Sequence, residues 1–128
     1  MNSNQDKIDS VLALSGPRRY DHFIKVVAER EELWALYNDG WVLAGTDDDD
    51  RAVFPIWPEK VYAELCIDKG SDDNKAKALN LFEFMEEIMP ELYEDGILPC
   101  VFFLPSDKGV IPTMEQLFED LKAELQRI

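Results

Sequence analysis

The chain has 128 residues and a formal net charge of −14, from 27 acidic and 13 basic side chains. A chain of this length buries roughly two-thirds of its unfolded surface, which is enough for a core that needs neither a metal nor a disulfide. The acidic balance argues against a nucleic-acid-binding face, because phosphate recognition depends on clustered Lys and Arg.

The cysteines and the hydropathy pattern predict a reduced, cytoplasmic protein. Cys66 and Cys100 lie far apart among apolar neighbours, so they form neither a C-x-x-C redox pair nor a cysteine-rich zinc site. The N-terminus lacks a signal-peptide pattern, and no run approaches the roughly eighteen apolar residues of a membrane-spanning helix. We expect buried thiols, no cofactor and no membrane partner.

Two helices are predicted before the first strand. Residues 4–14 have apolar residues at helical spacing, and Gly16-Pro17 ends the pattern. Ser15 is a typical N-cap for a second helix with Pro17 in its first turn. The apolar stripe of that helix contains Tyr20, Phe23, Ile24, Val27 and Ala28. We expect this helix to pack on a sheet, and residues 1–4 to fray.

Residues 33–57 contain all three tryptophans and predict a three-stranded antiparallel meander. Asp39-Gly40 is typical of a type I′ hairpin, because glycine accepts the positive φ that this turn demands. A two-residue turn would place Leu36 opposite Leu43. Both faces of the predicted sheet are apolar, which indicates cover on both sides or a partner on one of them.

The third strand of the meander, residues 52–57, contains Pro55. Proline cannot donate a ladder hydrogen bond, so this strand is predicted at a sheet edge or at a bulge. Pro58 suits the first turn of the helix that follows. Residues 68–74 predict a surface loop.

The C-terminal half predicts two more helices around one strand. Asn80-x-x-Glu83 resembles a capping box and opens a helix that Pro90 should kink or split. Residues 97–104 predict a buried strand. Thr113-x-x-Gln116 is a second capping box before the last helix.

The order ααβββααβα indicates a single α+β domain over residues 1–128. We predict an antiparallel sheet of three to five strands, formed by the meander 33–57 and the strand 97–104, with about four to five helices packed on it.

Four consecutive aspartates are the first candidate for chemistry, because Ca²⁺ takes several carboxylate oxygens from a flexible loop. They are Asp47, Asp48, Asp49 and Asp50. An EF-hand loop begun at Asp48 fails, because Ala52 and Val53 occupy a ligand position and the required glycine. We favour a solvated loop whose charge blocks edge-to-edge sheet association, and predict no metal site.

The remaining candidates are one histidine and two arginines. His22 is the sole histidine, which excludes sites built on two histidines, and no G-x-S-x-G nucleophile elbow accompanies it. We interpret it as an ordinary surface or boundary residue and assign no catalytic residue. Arg18 and Arg19 lie in the first turn of a helix, where backbone N–H groups and guanidinium groups hold anions. Ion pairing with the many carboxylates is the favoured alternative.

The tryptophans are more typical of a core than of a ligand cage. Trp41 and Trp57 lie near strand ends, where they would line a shallow groove beside the aspartate loop. The candidate binding residues are therefore Arg18, Arg19, Trp41, Asp47, Asp48, Asp49, Asp50 and Trp57.

Four segments carry a resemblance to a known family. They are RRYDHFIKVV, ELWALYNDGWVLAG, VFPIWPEKVYAE and LFEFMEEIMPELYEDGI. From about Arg18 onward the chain resembles the small bacterial proteins grouped as domain of unknown function 2750. The resemblance implies a bacterial cytoplasmic domain and carries over no activity. The strand-Trp-Pro-helix step also resembles, at the level of fold alone, small bacterial domains of secretion accessories and toxin immunity.

Two functions from different classes remain open. The first is a non-enzymatic, acidic protein-interaction module that binds a basic protein or a second copy of itself, as an immunity protein or an inhibitor does. The alternative is a small-molecule-binding protein or hydrolytic enzyme with a site near Arg18, Arg19, His22 and Trp57. One concave pocket that joins those four residues would favour the alternative.

Overall fold

A computed structural model describes residues 3–45, 52–67, 73–105 and 109–127. Within these ranges the chain has the predicted α+β fold. Its strands form two small sheets, of two and three strands, and not the single sheet of three to five strands that the sequence predicts. The elements in chain order are α1 (Ser3–Leu12), α2 (Gly16–Arg30), β1 (Glu32–Tyr37), β2 (Ala44–Gly45), β3 (Ala52–Ile56), α3 (Lys60–Glu64), β4 (Lys75–Asn80), α4 (Leu81–Glu83), a π-helical segment (Phe84–Ile88), α5 (Met89–Glu94), β5 (Leu98–Val101) and α6 (Met114–Arg127).

Three helices begin at the capping residues that the sequence predicts. The side-chain oxygens of Ser15, Asn80 and Thr113 accept hydrogen bonds from backbone N–H groups two or three residues further on, at 3.0 to 3.4 Å. Each cap satisfies donors that the first turn of a helix leaves without a partner. Local sequence therefore determines where α2, α4 and α6 start.

Helices α2 and α6 each bury an apolar face in one core. Their buried residues in this core include Phe23, Ile24, Val27, Met114, Leu117 and Leu121. These side chains join others from β1, from β3 and from the π-helical segment. Of the predicted α2 stripe, Tyr20 is only partly buried. In the described parts of the chain, no helix is both long and apolar enough to cross a bilayer.

The larger sheet is mixed, so the prediction of an antiparallel sheet was wrong for one pair. β3 and β5 run parallel, from Val53 opposite Leu98 to Ile56 opposite Val101. Parallel strands need a long crossover connection. The chain provides it by passing through α3, β4 and α4 to α5 between the two strands.

The hairpin after β1 differs from the predicted two-residue turn. Tyr37 pairs with Trp41 and residues 38–40 form the loop. Asp39 has φ +54°, but Gly40 has φ +144°, outside the region of a type I′ turn. The Val42 N–H consequently donates to the carbonyl of Leu36 at 2.9 Å, so the predicted pairing of Leu36 with Leu43 was one residue out of register.

β1 has two neighbours that the predicted meander lacks. Trp34 and Trp57 exchange backbone hydrogen bonds of 2.8 and 2.9 Å, which places the end of β3 beside β1. β4 pairs antiparallel with β1 along its full length. Its sequence, KAKALN, did not predict a strand, because Lys and Ala have low β propensity.

The sequence predicts Pro55 near a sheet edge or at a bulge. β3 lies between β2 and β5, so it is not an edge strand as a whole. In the described ladders β2 pairs only with Ala52 and Val53, so Pro55 itself has a strand partner on the β5 side alone, as a position near an edge requires. Successive residues of a strand direct their N–H and C=O groups to alternate sides. The Ile56 carbonyl accepts from Phe102, and Trp57 bonds to Trp34. The nitrogen of Pro55 therefore faces away from β5. The parallel ladder between β3 and β5 needs no hydrogen-bond donor from this residue.

Pro90, which the sequence predicts to kink or split its helix, lies at the second residue of α5, just after a π-helical segment that interrupts the helix without dividing it. The Met89 N–H donates to the carbonyl of Phe84, five residues back. Proline lacks an N–H and its ring collides with the carbonyl four residues earlier, so the preceding turn widens. The wider turn lets one helical path continue from α4 to α5.

Candidate functional site

The structure separates the two arginines that the sequence groups together. Arg18 is exposed, whereas Arg19 is 4% exposed. The Arg19 guanidinium donates to the carbonyl of Leu12 at 3.2 Å and to that of Leu14. Leu12 is the last residue of α1 and Leu14 follows it, so their carbonyls have no partner within the helix. The buried guanidinium supplies the hydrogen bonds that these carbonyls need. Arg19 thus joins α1 to α2, and the arginines do not present one anion-binding surface.

The two candidate tryptophans also occupy different environments. Trp57 is fully buried, and its indole N–H donates to the carbonyl of Phe103 at 2.6 Å. Trp41 is half-buried, with its ring centroid 5.3 Å from that of Tyr37 and 6.0 Å from that of Phe54. Trp57 has no exposed surface to contribute, so the predicted groove shared by the two indoles is not formed.

Asp47, Asp48, Asp49 and Asp50 lie outside the described residues, so the solvated loop and the binding role proposed for these aspartates both stay predictions. Among residues 3–45, 52–67, 73–105 and 109–127, no group of three or more His, Cys, Asp or Glu side chains is arranged to hold a metal ion.

His22 is half-buried at the carboxyl ends of the parallel strands, as a boundary residue should be. Its ring centroid lies 6.4 Å from that of Phe102. Burial lowers the pKa of His22, against the opposing effect of Glu59. Burial and then Glu59 raise the pKa of Tyr62 to about 12. Glu59 itself pairs with Arg30 at 2.8 Å.

The chain beside His22 is locally strained. Phe102 has φ +65° and is buried, a conformation that side chains with a Cβ rarely adopt. Gly109 packs directly against it, since a Cβ there would lie 2.6 Å from the Val101 carbonyl oxygen. Val101 and Val110 exchange backbone hydrogen bonds of 2.8 and 2.9 Å. This tight contact fixes the position of residues 110–112 beside β5.

The cysteines remain free thiols, as predicted. Cys100 is buried in β5, and Cys66 is half-buried. The Cys66 thiol donates to the carbonyl of Phe103, the acceptor that Trp57 also uses. Burial raises the pKa of Cys66 to about 11, so the thiol stays protonated and weakly nucleophilic at neutral pH.

The open end of the β1–β4 pair, which we call the hairpin end, contains an internally satisfied aromatic cluster. The Lys77 ammonium lies 4.1 Å from the ring centroid of Tyr37 and 5.4 Å from that of Trp41. A cleft of about 600 Å³ adjoins the cluster and is lined by Tyr37, Asn38, Asp39, Asp73, Asn74 and Lys75. Asp39 and Asp73 are acidic and Lys75 is basic, so charges of both signs line this cleft.

A second groove lies between the end of α5 and the start of α6. It has a volume of about 320 Å³ and is lined by Tyr93, residues 96–98 and residues 111–115. We call it the Tyr93 groove. Tyr93 is 61% exposed and Ile111 is 40% exposed, so its rim presents an aromatic and an aliphatic side chain to solvent.

The chain on both sides of the Tyr93 groove is uniformly acidic. Residues 81–98 and residues 111–121, which we call the acidic surface, contain no Lys or Arg. The acidic residues of the first segment are Glu83, Glu86, Glu87, Glu91, Glu94 and Asp95, and all six are exposed. The second segment adds Glu115, Glu119 and Asp120. The exposed apolar side chains of the groove therefore belong to segments whose charged residues are all acidic.

Comparison with known proteins identifies a family. The family described as "Protein of unknown function (DUF2750)" matches residues 20–121 of the chain. The chain belongs to this family. Searches of curated proteins and of solved structures found no match. The DUF2750 match spans both walls of the Tyr93 groove, and its description assigns no activity.

Sequence reasoning missed the Tyr93 groove. Tyr93 and Ile111 lie 18 positions apart, and the pairing of Val101 with Val110 is what brings the second wall alongside β5. One feature of the sequence indicates an exposed ring at this place. Tyr93 does not belong to the buried stripe of its helix, which contains Met89 and Leu92. An exposed aromatic ring among carboxylates suits the recognition of apolar and cationic groups.

Proposed function

We propose that this DUF2750 protein is an acidic protein-interaction module that binds a basic protein partner through the acidic surface. The observation that carries the proposal is the coincidence of exposed Tyr93 and Ile111 with nine carboxylates and no Lys or Arg in the flanking segments. Apolar side chains exposed on such a surface provide short-range burial for a partner.

The acidic surface also opposes local stability, which favours a role in recognition. Glu94 and Asp95 lie at the C-terminal end of α5, where negative charge is unfavourable with the helix dipole. Carboxylates of one sign in one segment repel each other and attract oppositely charged partners over about a Debye length. A basic partner offsets both the unfavourable interaction with the helix dipole and the repulsion between carboxylates. Its association with the acidic surface is faster at low salt.

Affinity capture with two matched variants tests the proposal. One variant neutralises the acidic surface through Glu91→Gln, Glu94→Gln and Glu115→Gln. The control carries Asp21→Asn, Glu29→Gln and Glu64→Gln, three exposed carboxylates of other elements, and has the same formal charge. Proteins from the native host are captured at about 50 mM salt and released at about 500 mM, where screening shortens the Debye length.

We expect the wild type and the control to retain the same basic protein, and the acidic-surface variant to lose it. Equal retention by both variants, or a retained partner without basic surface, would contradict the proposal. Light scattering on the purified wild type tests the other predicted partner, a second copy. Two copies facing each other through the acidic surface would bring like charges together, so we expect a monomer at low salt.

A further inference from the structure

We infer that the Tyr93 groove binds an extended segment of the partner, in which one apolar side chain is flanked by Lys or Arg. This inference rests on the proposed function and specifies the chemistry of the partner at one place on the acidic surface. It follows from the size of the groove, the side chains that line it and the charges beside it.

The size of the groove limits what enters it. Its volume of about 320 Å³ is at the lower end of the roughly 300–1,000 Å³ typical of ligand pockets. An amphipathic helix docks through three or four anchors spaced along two turns, which needs a longer groove. One or two apolar side chains from an extended segment fit the available space.

The lining determines the chemistry of the anchor. The walls combine Tyr93 and Ile111 with Ile97, Leu98 and Pro112. Burying the exposed parts of Tyr93 and Ile111 on binding is favourable, because apolar area removed from water contributes about 25 cal/mol per Å². Tyrosine is also among the residues that most often dominate the binding energy of an interface. An apolar anchor is therefore favoured over a polar one.

The charges beside the groove select the residues that flank the anchor. Glu94 and Asp95 lie between the lining residues Tyr93 and Gly96, and Glu115 lines the groove from α6. In an extended segment, residues on one face repeat about every 7 Å, so neighbours of a buried anchor reach the rim on both sides. Lys or Arg at those positions would meet carboxylates on each wall.

A defined peptide tests the inference. The probe is fluorescein-labelled Lys-Lys-Gly-Leu-Gly-Lys-Lys, which has Lys two residues before and two residues after its one apolar anchor. In the two comparison peptides Ala replaces Leu or Glu replaces Lys. Anisotropy gives the dissociation constants, and amide chemical shifts of the full chain give the location. We expect the largest shifts in residues 93–98 and 111–115, affinity at least about tenfold weaker for the Ala peptide, and no binding of the Glu peptide.

Two variants locate the effect. Tyr93→Ser should weaken binding of the probe about tenfold. The matched control Leu65→Ser changes a residue at the end of α3 that is 45% exposed, and should leave the affinity unchanged. Equal affinities for the Leu and Ala peptides, or equal losses in both variants, would overturn the inference.

The outcomes also separate this inference from the proposed function. Salt-sensitive binding of the probe with shifts confined to other parts of the acidic surface would refute the groove and leave the interaction module standing. Failure of both Lys-containing peptides to bind would count against the groove, while the capture experiment with its matched variants decides the proposed function by itself.

Discussion

The hairpin end and the Tyr93 groove both contain aromatic side chains, but they differ in what surrounds those rings. At the hairpin end, Tyr37 and Trp41 contact each other edge to face, and the Lys77 ammonium lies over the Tyr37 ring. In the Tyr93 groove, Tyr93 is largely exposed and the neighbouring charges are carboxylates. The first cluster has its partners within the chain, whereas the second has room for a partner outside it.

This difference shows why aromatic content alone is a poor guide to function. The sequence concentrates its tryptophans in residues 33–57, yet these side chains serve the core or its margin. A ring contributes to binding when part of its surface remains free for a ligand. We therefore expect substitutions at the hairpin end to change stability, and substitutions in the groove to change binding.

The largest effect is expected at Gly109, which holds the second wall of the groove against β5. Gly109→Ala would place a Cβ 2.6 Å from the Val101 carbonyl oxygen at φ +76°. Overpacking and backbone strain together should lower the free energy of unfolding by about 2–4 kcal/mol. Urea denaturation measures the change.

Gly45 provides the matched control. A Cβ added there meets no atom within 4 Å, so Gly45→Ala should change the free energy of unfolding by less than about 0.5 kcal/mol. Similar midpoints for the two alanine variants would show that the contact between Gly109 and Val101 does not constrain the fold.

A smaller loss is expected for Trp41→Ala at the hairpin end. Trp41 is half-buried against Tyr37 and Phe54, so its removal should cost about 2 kcal/mol, roughly half the cost of a fully buried tryptophan. Binding of the lysine-rich probe peptide should be unchanged under conditions where the variant is folded. A weakened affinity with intact stability would place function at the hairpin end and reverse the comparison.

Local rules in the sequence were sufficient for much of the fold. Ser15, Asn80 and Thr113 cap their helices, and a π-helical segment precedes Pro90, because each effect depends on residues within one or two turns. The α+β class followed from the same elements. Periodicity was informative wherever the buried face was strongly apolar.

Pairing between distant segments could not be obtained in this way. The β4 strand has a weak pattern and depends on β1 for its conformation, since strand preference reflects packing on neighbours. The hairpin register depends on φ at Gly40, which adopts a value that a dipeptide signal does not specify. The parallel pairing of β3 with β5 requires the whole crossover.

The candidate site was predictable in charge and not in shape. A run of six acidic residues in 83–95 without Lys or Arg is visible in the sequence. The predicted binding residues Arg19 and Trp57 are buried instead, because their polar groups satisfy backbone carbonyls inside the fold. Tyr93 lies within the acidic run, but the groove beside it also needs Ile111, whose position depends on the long-range pairing of Val101 with Val110.

The interaction between Lys77 and the aromatic pair should contribute about 0.5 kcal/mol, in the range of exposed cation–π contacts. Lys77→Met retains a long apolar side chain over Ala35, which lies opposite in the β1–β4 register, and removes only the charge. We expect a small drop in the unfolding midpoint. Lys122→Met, an exposed lysine of α6, is the control and should leave the midpoint unchanged.

The smallest effect on stability is expected at Tyr93, even though it is the largest exposed side chain of the groove. Tyr93→Ala removes a ring that is 61% exposed, and alanine has the higher helix propensity in α5. The two contributions oppose each other, so the free energy of unfolding should change by less than about 0.5 kcal/mol. Chemical denaturation of Tyr93→Ala beside Trp41→Ala measures the contrast directly. A loss at Tyr93 as large as that at Trp41 would mean that its ring serves the fold, and the distinction between the two aromatic regions would fail.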